Sequence, residues 1–312
     1  MWWGLLGFIA TLASMSSVLA EEPSTAVSAP SPPPLDCRYA AAEHPETLQT
    51  TDAPETRRFP KDDVFRPLLA DPKQPQFQAT YQGVRLRQAN NDNLNAGFIG
   101  FGETFGLWTR RQEQGCNGLQ IGVFGAVFSQ FNLDAPSKDL INSDFQVGFP
   151  LTWREGPFSA RVRLYHQSSH LGDEFLLNNP QVPRINYSFE EADAVGSFEY
   201  RSVRLYGGGG YVLHGEPEIK RGKVQWGVEL RGSRGLEFIY GNPILVGGAD
   251  FKSLEELGWN VNANVVGGLE WYSPQATRRV RLLLNYYRGF NPYGQFFSQK
   301  IETIGIGLYF QF

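Results

Sequence analysis

From Phe77 to the end of the chain, apolar and polar residues alternate with a period of two, and the alternation restarts after each turn-rich gap. In the last segment Ile304, Ile306, Leu308 and Phe310 fall on one face, while Thr303, Gly305, Gly307, Tyr309 and Gln311 fall on the other. Successive side chains of a β-strand point to opposite sides, so this period divides each segment between two environments. Phe145, Val147, Phe149, Leu151 and Trp153 oppose Gln146, Gly148, Pro150, Thr152 and Arg154. Val224, Trp226, Val228 and Leu230 oppose Gln225, Glu229 and Arg231, and Val280, Leu282, Leu284 and Tyr286 oppose Arg279, Arg281, Asn285 and Tyr287. The row from Trp259 through Val261, Ala263, Val265, Gly267 and Leu269 to Trp271 carries an aromatic at each end, as an interfacial girdle requires.

The apolar faces are long and unbroken, and the polar faces are rich in Asn, Gln, Arg and Gly. Short turns (154–156, 232–234) alternate with long ones (170–184, 289–300). A soluble sandwich shares the apolar face but not this alternation of turns, which belongs to barrels with short periplasmic turns and longer external loops. The expectation is an all-β, antiparallel transmembrane β-barrel of roughly twelve strands over residues 77–312, an even count that returns both termini to one side. Pro150 and Pro243 each remove a ladder donor and call for a bulge or a strand end.

Ahead of the barrel, residues 1–20 carry no charged side chain and end on Val18-Leu19-Ala20, which reads as a secretory signal peptide. An uncleaved anchor is the alternative, and it lacks a positive flank. Residues 21–35 form a Pro-rich linker that cannot bury a core. Residues 36–76 are polar and Pro-punctuated, and are expected to form a periplasmic extension packed near the barrel mouth. Beyond the leader no run of eighteen apolar residues exists, so any membrane residence is by strands. A hydrophobic fraction of 41%, with 34 Gly and 14% aromatics, suits that architecture. A net charge of -4, without a basic stripe, excludes nucleic acid as a partner. Cys37 and Cys116 both fall on the periplasmic side and could form a single bridge, with two free thiols as the alternative.

One strand gathers residues that could do chemistry. Between Phe158 and Ser168, Arg161 and Arg163 alternate with Val162 and Leu164. An arginine facing mid-bilayer lipid costs about 2–4 kcal/mol, so Arg161 and Arg163 belong in the lumen, and His166 and Ser168 then face outward near the external rim. On the next strand Glu191 and Asp193 belong in the lumen beside the arginines, and Asn186 and Ser188 face outward. Pairing Arg161 with Glu191 sets Asn186 opposite His166, and pairing it with Asp193 sets Asn186 opposite Ser168. Serine, imidazole and an orienting side chain form the general acyl-transfer arrangement, with Ser168 as nucleophile, His166 as base and Asn186 as orienter. Gly207 to Gly210 lie inside a strand pattern, so close packing or a bend explains them better than phosphate binding.

The C-terminal run ending at Phe312 resembles that of bacterial outer-membrane barrels, which implies that Phe310 and Phe312 serve as the signal read by the barrel assembly machinery. Tyr165-His166-Gln167-Ser168 resembles the His-x-Ser motif of outer-membrane phospholipase A, a twelve-stranded barrel with His, Ser and Asn on its lipid-facing side. That family continues with Asn-Gly after its serine, whereas this chain continues Ser169-His170-Leu171-Gly172, so the oxyanion hole and calcium ligands do not carry over. Over nearly the whole mature chain, the segments 65–72, 163–174 and 204–210 look like the bacterial domain-of-unknown-function family 1207. These resemblances imply residence in the outer membrane of a Gram-negative cell, with its lipid as partner.

Two functions follow as expectations. The first is a structural or small-solute barrel without catalysis, in which Arg161, Arg163, Glu191 and Asp193 line the lumen. The alternative is a lipid-acting acyl hydrolase, of phospholipase or lipid A deacylase type, using Ser168, His166 and Asn186. No cofactor or metal site is expected, and calcium enters only under the hydrolase alternative.

Overall fold

The computed structural model describes residues 37–39, 53–87, 93–112, 116–273 and 278–312. The expected signal peptide (1–20) and Pro-rich linker (21–35) lie outside the described residues. The strands are β1 (Pro54–Arg58), β2 (Phe77–Leu86), β3 (Asn93–Gln112), β4 (Gly118–Asn132), β5 (Leu140–Glu155), β6 (Phe158–Leu171) and β7 (Tyr187–Tyr200). They continue with β8 (Val203–Glu216), β9 (Gly222–Arg231), β10 (Ile244–Leu254), β11 (Val261–Ser273), β12 (Arg278–Phe290) and β13 (Lys300–Gln311), and a short helix α1 (Asp173–Asn178) lies between β6 and β7. Each strand from β2 to β13 pairs antiparallel with its sequence neighbours, and β13 pairs back onto β2, so twelve strands close into a barrel. Closure removes the free edges that hydrocarbon cannot satisfy. Outside that cycle, β1 adds to the part of β3 that extends past β2, pairing Pro54 to Arg58 with Gln112 to Trp108.

The alternation read from the sequence is the alternation of burial. In β13, Ile304, Ile306, Leu308 and Phe310 are exposed on the outer wall while Thr303, Tyr309 and Gln311 are buried inside. Arg154, Arg161, Arg163, Arg204 and Arg281 all point into the lumen. Arg85 and Arg288 face outward only near the rim opposite the C-terminus. Some boundaries differ from expectation. β11 begins at Val261, and Trp259 sits in a left-handed turn at φ 59°. The connection expected to be a short turn at 232–234 extends over 232–243 and folds onto the outer wall, where Trp271 Nε1 donates to the Tyr240 carbonyl at 2.9 Å. Pro243 ends a loop as expected, but β5 runs through Pro150 without a bulge. There the β4–β5 ladder is interrupted between Ile121↔Leu151 and Phe124↔Gly148, and Gly122 stands beside the proline ring.

Of the segment expected to pack near the barrel mouth (36–76), residues 64–75 instead run inside the lumen, while β1 stays exposed beside the end of β3 and residues 40–52 lie outside the described residues. Arg66 Nη2 donates to Glu229 Oε2 at 3.0 Å and the Leu69 amide to Glu229 Oε1 at 2.7 Å. Arg154 donates to the Val64 carbonyl at 2.7 Å, and Asn264 Nδ2 to the Ala70 carbonyl at 2.7 Å. Farther along, Asp71 pairs with Lys252 and Lys73 with Asp144. Phe65 and Leu68 pack on Val195 and Tyr206, while Ala70 packs among Val246, Val266, Leu283 and Tyr309. Room for this plug comes partly from missing side chains, since a Cβ on Gly106 would lie 2.5 Å from the Pro60 ring and one on Gly102 would lie 3.0 Å from Pro75 Cα. Buried charges are tolerable only when paired, and the plug supplies or completes several of the pairs.

Cys37 and Cys116 form a disulfide, with Cα atoms 5.2 Å apart, tying the N-terminal part of the chain to the β3–β4 connection. Next to it Tyr39 is fully buried beneath the Arg279 guanidinium, 3.4 Å from the ring centroid, and its hydroxyl accepts from Arg281 at 2.7 Å. Arg38 Nη1 donates to the Phe312 carbonyl at 3.0 Å.

Candidate functional site

β6 and β7 pair with Arg163 opposite Asp193, His166 opposite Glu190 and Ser168 opposite Ser188. Neither expected register occurs. The lumen chemistry decides the alignment, because Arg163 makes a two-pronged contact with Asp193, with Nε 3.0 Å from Oδ1, while Glu191 pairs across to Lys223 on β9. Arg161 consequently stands opposite Val195. Asn186 precedes the first residue of β7 and is opposite neither His166 nor Ser168, so the structure does not bring the three expected residues together.

Glu190 takes the place expected for Asn186. His166 Nδ1 lies 2.7 Å from Glu190 Oε1, and Glu190 Oε2 lies 3.0 Å from Nδ1 of His214 on β8. The signal for Glu190 was present in the sequence, since the parity that turns Asn186 and Ser188 outward also turns Glu190 outward, and a carboxylate on a lipid-facing wall is conspicuous. The His166 and Glu190 side chains are each 42% exposed, so both remain within reach of a ligand at the surface.

Ser168 shares the outer face with His166 two positions away, a backbone spacing of about 7 Å for strand geometry. Among the described residues no hydrogen bond joins Ser168 to His166. Catalytic hydrogen bonds are often loose in free enzymes and tighten when substrate binds. The wall around the group is apolar, with Val147 beside His166, Phe145 beside Ser168, and Leu164 and Val162 farther down β6. The Phe145 ring also meets the His170 ring edge-on at 5.7 Å. Chemically this is an imidazole oriented by a carboxylate, near a serine, where a hydrocarbon surface meets polar side chains. Among the described residues no group of three or more His, Cys, Asp or Glu is arranged to hold a metal ion.

The other residues singled out in the sequence fall as follows. Arg161, Arg163, Glu191 and Asp193 line the lumen and are each at most 7% exposed. Phe310 and Phe312 are on the outer face, and the Phe312 ring packs edge-on against Phe77 at 5.1 Å. Gly207 to Gly210 lie within β8, where a Cβ on Gly208 would sit 2.0 Å from the Ala194 carbonyl oxygen, so close strand approach accounts for that residue.

A closed twelve-strand barrel with an apolar outer wall and a polar, charge-paired interior has the fold of outer-membrane β-barrel proteins. The chain belongs to the family described as "Protein of unknown function (DUF1207)", which it matches over residues 9–312. Among solved structures it is similar to outer membrane phospholipase A from Escherichia coli, at 14% identity and a TM-score of 0.52, covering 89% of this chain and 98% of that one. An active-site mutant of the same enzyme aligns at 12% identity and a TM-score of 0.52, covering 85% and 95%. The transport unit of the Escherichia coli autotransporter AIDA-I aligns at 12% identity with a TM-score of 0.40, covering 80% and 94%. No curated protein matches the sequence. At 12–14% identity the likeness to the phospholipase is one of fold.

Proposed function

We propose that this protein is an acyl hydrolase of the bacterial outer membrane, acting on lipid that lies against its own wall. Ser168 is the nucleophile, His166 the general base and Glu190 the carboxylate that orients it. The observation that carries this reading is the 2.7 Å contact between His166 Nδ1 and Glu190 Oε1, made on the outer face two positions from Ser168. With Nδ1 held as a donor to Glu190, the lone pair of Nε2 is free to accept the Ser168 proton as Oγ attacks an ester carbonyl. The imidazolium, stabilised by Glu190, then returns the proton to the departing alcohol. A water activated by the same imidazole hydrolyses the acyl-serine and restores the enzyme. The bilayer supplies the substrate and keeps bulk water from its acyl chains.

Under this reading the distal rim faces the cell exterior, outer-membrane lipid is the substrate, and Phe310 with Phe312 directs the chain to the barrel assembly machinery. The test is release of fatty acid from phospholipid or lipid A by purified protein, with Ser168→Ala as the control. Equal release by the variant disposes of the assignment.

A second reading is favoured by the sharing of Glu190 between His166 and His214. That bridge spans three strands, and in a barrel without catalysis it acts as a polar clamp at the rim of the lipid band. The filled lumen argues against the small-solute version of that role. Absence of hydrolysis by the wild type, together with loss of stability in Glu190→Gln, supports the clamp.

A further inference from the structure

At the rim opposite the C-terminus, the outer wall of β12, β13 and β2 carries a cluster of charge. Glu302 of β13 stands opposite Arg85 of β2 on one side and Arg288 of β12 on the other, and all three positions face outward. Residues paired this way on neighbouring strands have Cβ atoms about 4.5–5.5 Å apart, so the two arginines bracket the carboxylate. One row nearer the rim, Arg87 and Lys300 are exposed, and the Arg87 amide donates to the Lys300 carbonyl at 2.9 Å. Glu302 is committed, since it pairs with Arg87 at 3.5 Å and accepts from the Tyr286 hydroxyl at 3.0 Å. Asp134, from the β4–β5 connection, is taken by Asn95, whose amide and Nδ2 both donate to it at 2.8 Å. Among the described residues four cations therefore share one carboxylate on this face, and Arg85 and Arg288 have neither an ion pair nor a side-chain hydrogen bond.

The rows farther from the rim are apolar. Gly83 follows Arg85 on the outer face, flanked in the two ladders by Ile304 and Asn95, and a Cβ there would meet nothing closer than the Ile304 carbonyl oxygen at 3.9 Å. The missing side chain opens a groove bordered by Arg85, Asn95, Tyr286, Glu302 and Ile304. The next row, Tyr81, Ile306 and Leu284, continues the same exposed wall. The Tyr81 hydroxyl donates to Asn95 Oδ1 at 2.7 Å and that of Tyr286 to Glu302, so two phenols mark the level where polar surface gives way to apolar. Cations at the rim, phenols below them and aliphatic side chains below those match, in order, the phosphate, interfacial and acyl layers of a lipid. A soluble anion would use the cations and leave the groove and the apolar wall without a role.

We infer that this face holds a lipid with a net-anionic phosphate headgroup, the phosphate between Arg85 and Arg288 and an acyl chain along the groove over Gly83. The inference rests on the placement of the barrel in a membrane and not on the hydrolase site, which is built on β6, β7 and β8, away from these strands in the cylinder.

The experiment uses the purified full-length protein in uncharged detergent, given phosphatidylglycerol or phosphatidylcholine at equal concentration and read by native mass spectrometry. The wild type should retain phosphatidylglycerol in preference to phosphatidylcholine. A cation at an anionic lipid surface contributes about fivefold in binding, so Arg85→Gln with Arg288→Gln should lower retention of phosphatidylglycerol roughly 25-fold. Arg201→Gln with Arg278→Gln removes the same charge from the opposite rim and should keep most of the retention. No preference in the wild type, a loss below about threefold in the first pair, or an equal loss in both pairs overturns the inference. If a second copy of the chain covers the face instead, the spectra will show a dimer without bound phosphatidylglycerol that the first pair breaks, and that also overturns it. Should the first pair fail to fold, Arg288→Gln alone decides, with a loss of about fivefold expected.

Discussion

His166 and Glu190 face each other across the β6–β7 ladder on the outside of the barrel, with Nδ1 and Oε1 2.7 Å apart. Both occupy positions where the strand pattern presents side chains to lipid. A carboxylate and an imidazole there are unfavourable unless they satisfy each other, and Glu190 extends the satisfaction to His214 at 3.0 Å.

If Glu190 orients His166, Glu190→Gln should lower fatty-acid release by a factor on the order of 10²–10⁴. Asn186→Ala should leave the rate near that of the wild type, because Asn186 precedes β7 and is opposite neither His166 nor Ser168 in the ladder. Steady-state assay of both variants in the same vesicles checks the pair. An Asn186 defect as large as that of Glu190 would restore the arrangement expected from the sequence.

Glu229 is the keystone of the plug, accepting from Arg66, from the Leu69 amide and from Arg204 at 3.0, 2.7 and 3.4 Å. Glu229→Ala leaves two buried guanidinium groups short of a counter-charge and should destabilise the folded barrel by about 3–5 kcal/mol. Urea unfolding in lipid vesicles, followed by tryptophan fluorescence, reads this directly. A change below about 1 kcal/mol means the plug is held by other contacts.

The disulfide closes a loop between residues separated by 79 positions. Replacing Cys37 and Cys116 together by serine should lower stability by about 2–4 kcal/mol, chiefly by freeing the unfolded chain. Reduction of the wild type should reproduce the shift in unfolding midpoint, and adding reductant to the double variant should do nothing further.

With residues 64–75 packed in the lumen, the wild type should pass no measurable current in planar bilayers. Removing that segment should produce discrete conductance steps, provided the barrel still inserts, which protease resistance of its strands reports. Steady wild-type conductance contradicts a seated plug.

Much of this fold was legible along the chain, because strand parity is a local property. Ile304, Ile306, Leu308 and Phe310 could be assigned to the outer wall, and Arg161, Arg163, Glu191 and Asp193 to the lumen, from a period of two and the cost of charge in lipid. Glu190 is equally legible by that rule, since it shares the outward parity of Asn186 and Ser188. The register was not legible. Sliding β7 past β6 by two residues preserves every inside and outside assignment, so parity alone cannot choose among the alignments.

The choice came from contacts distant in sequence. Lys223 on β9 takes Glu191, which leaves Asp193 to Arg163 and sets Glu190 beside His166. The plug was hidden for the same reason. Residues 59–76 show no strand periodicity, and their polar, Pro-rich composition suits a solvated extension as well as a buried one. Only the lumen, lined by Glu229, Lys252, Asp144 and Asn264 from different strands, turns that composition into a set of matched partners. The sequence by itself determined which way each barrel side chain points, because neighbouring backbone atoms dictate it. The tertiary structure decided which charges meet, because closing a cylinder brings together residues that no local rule connects.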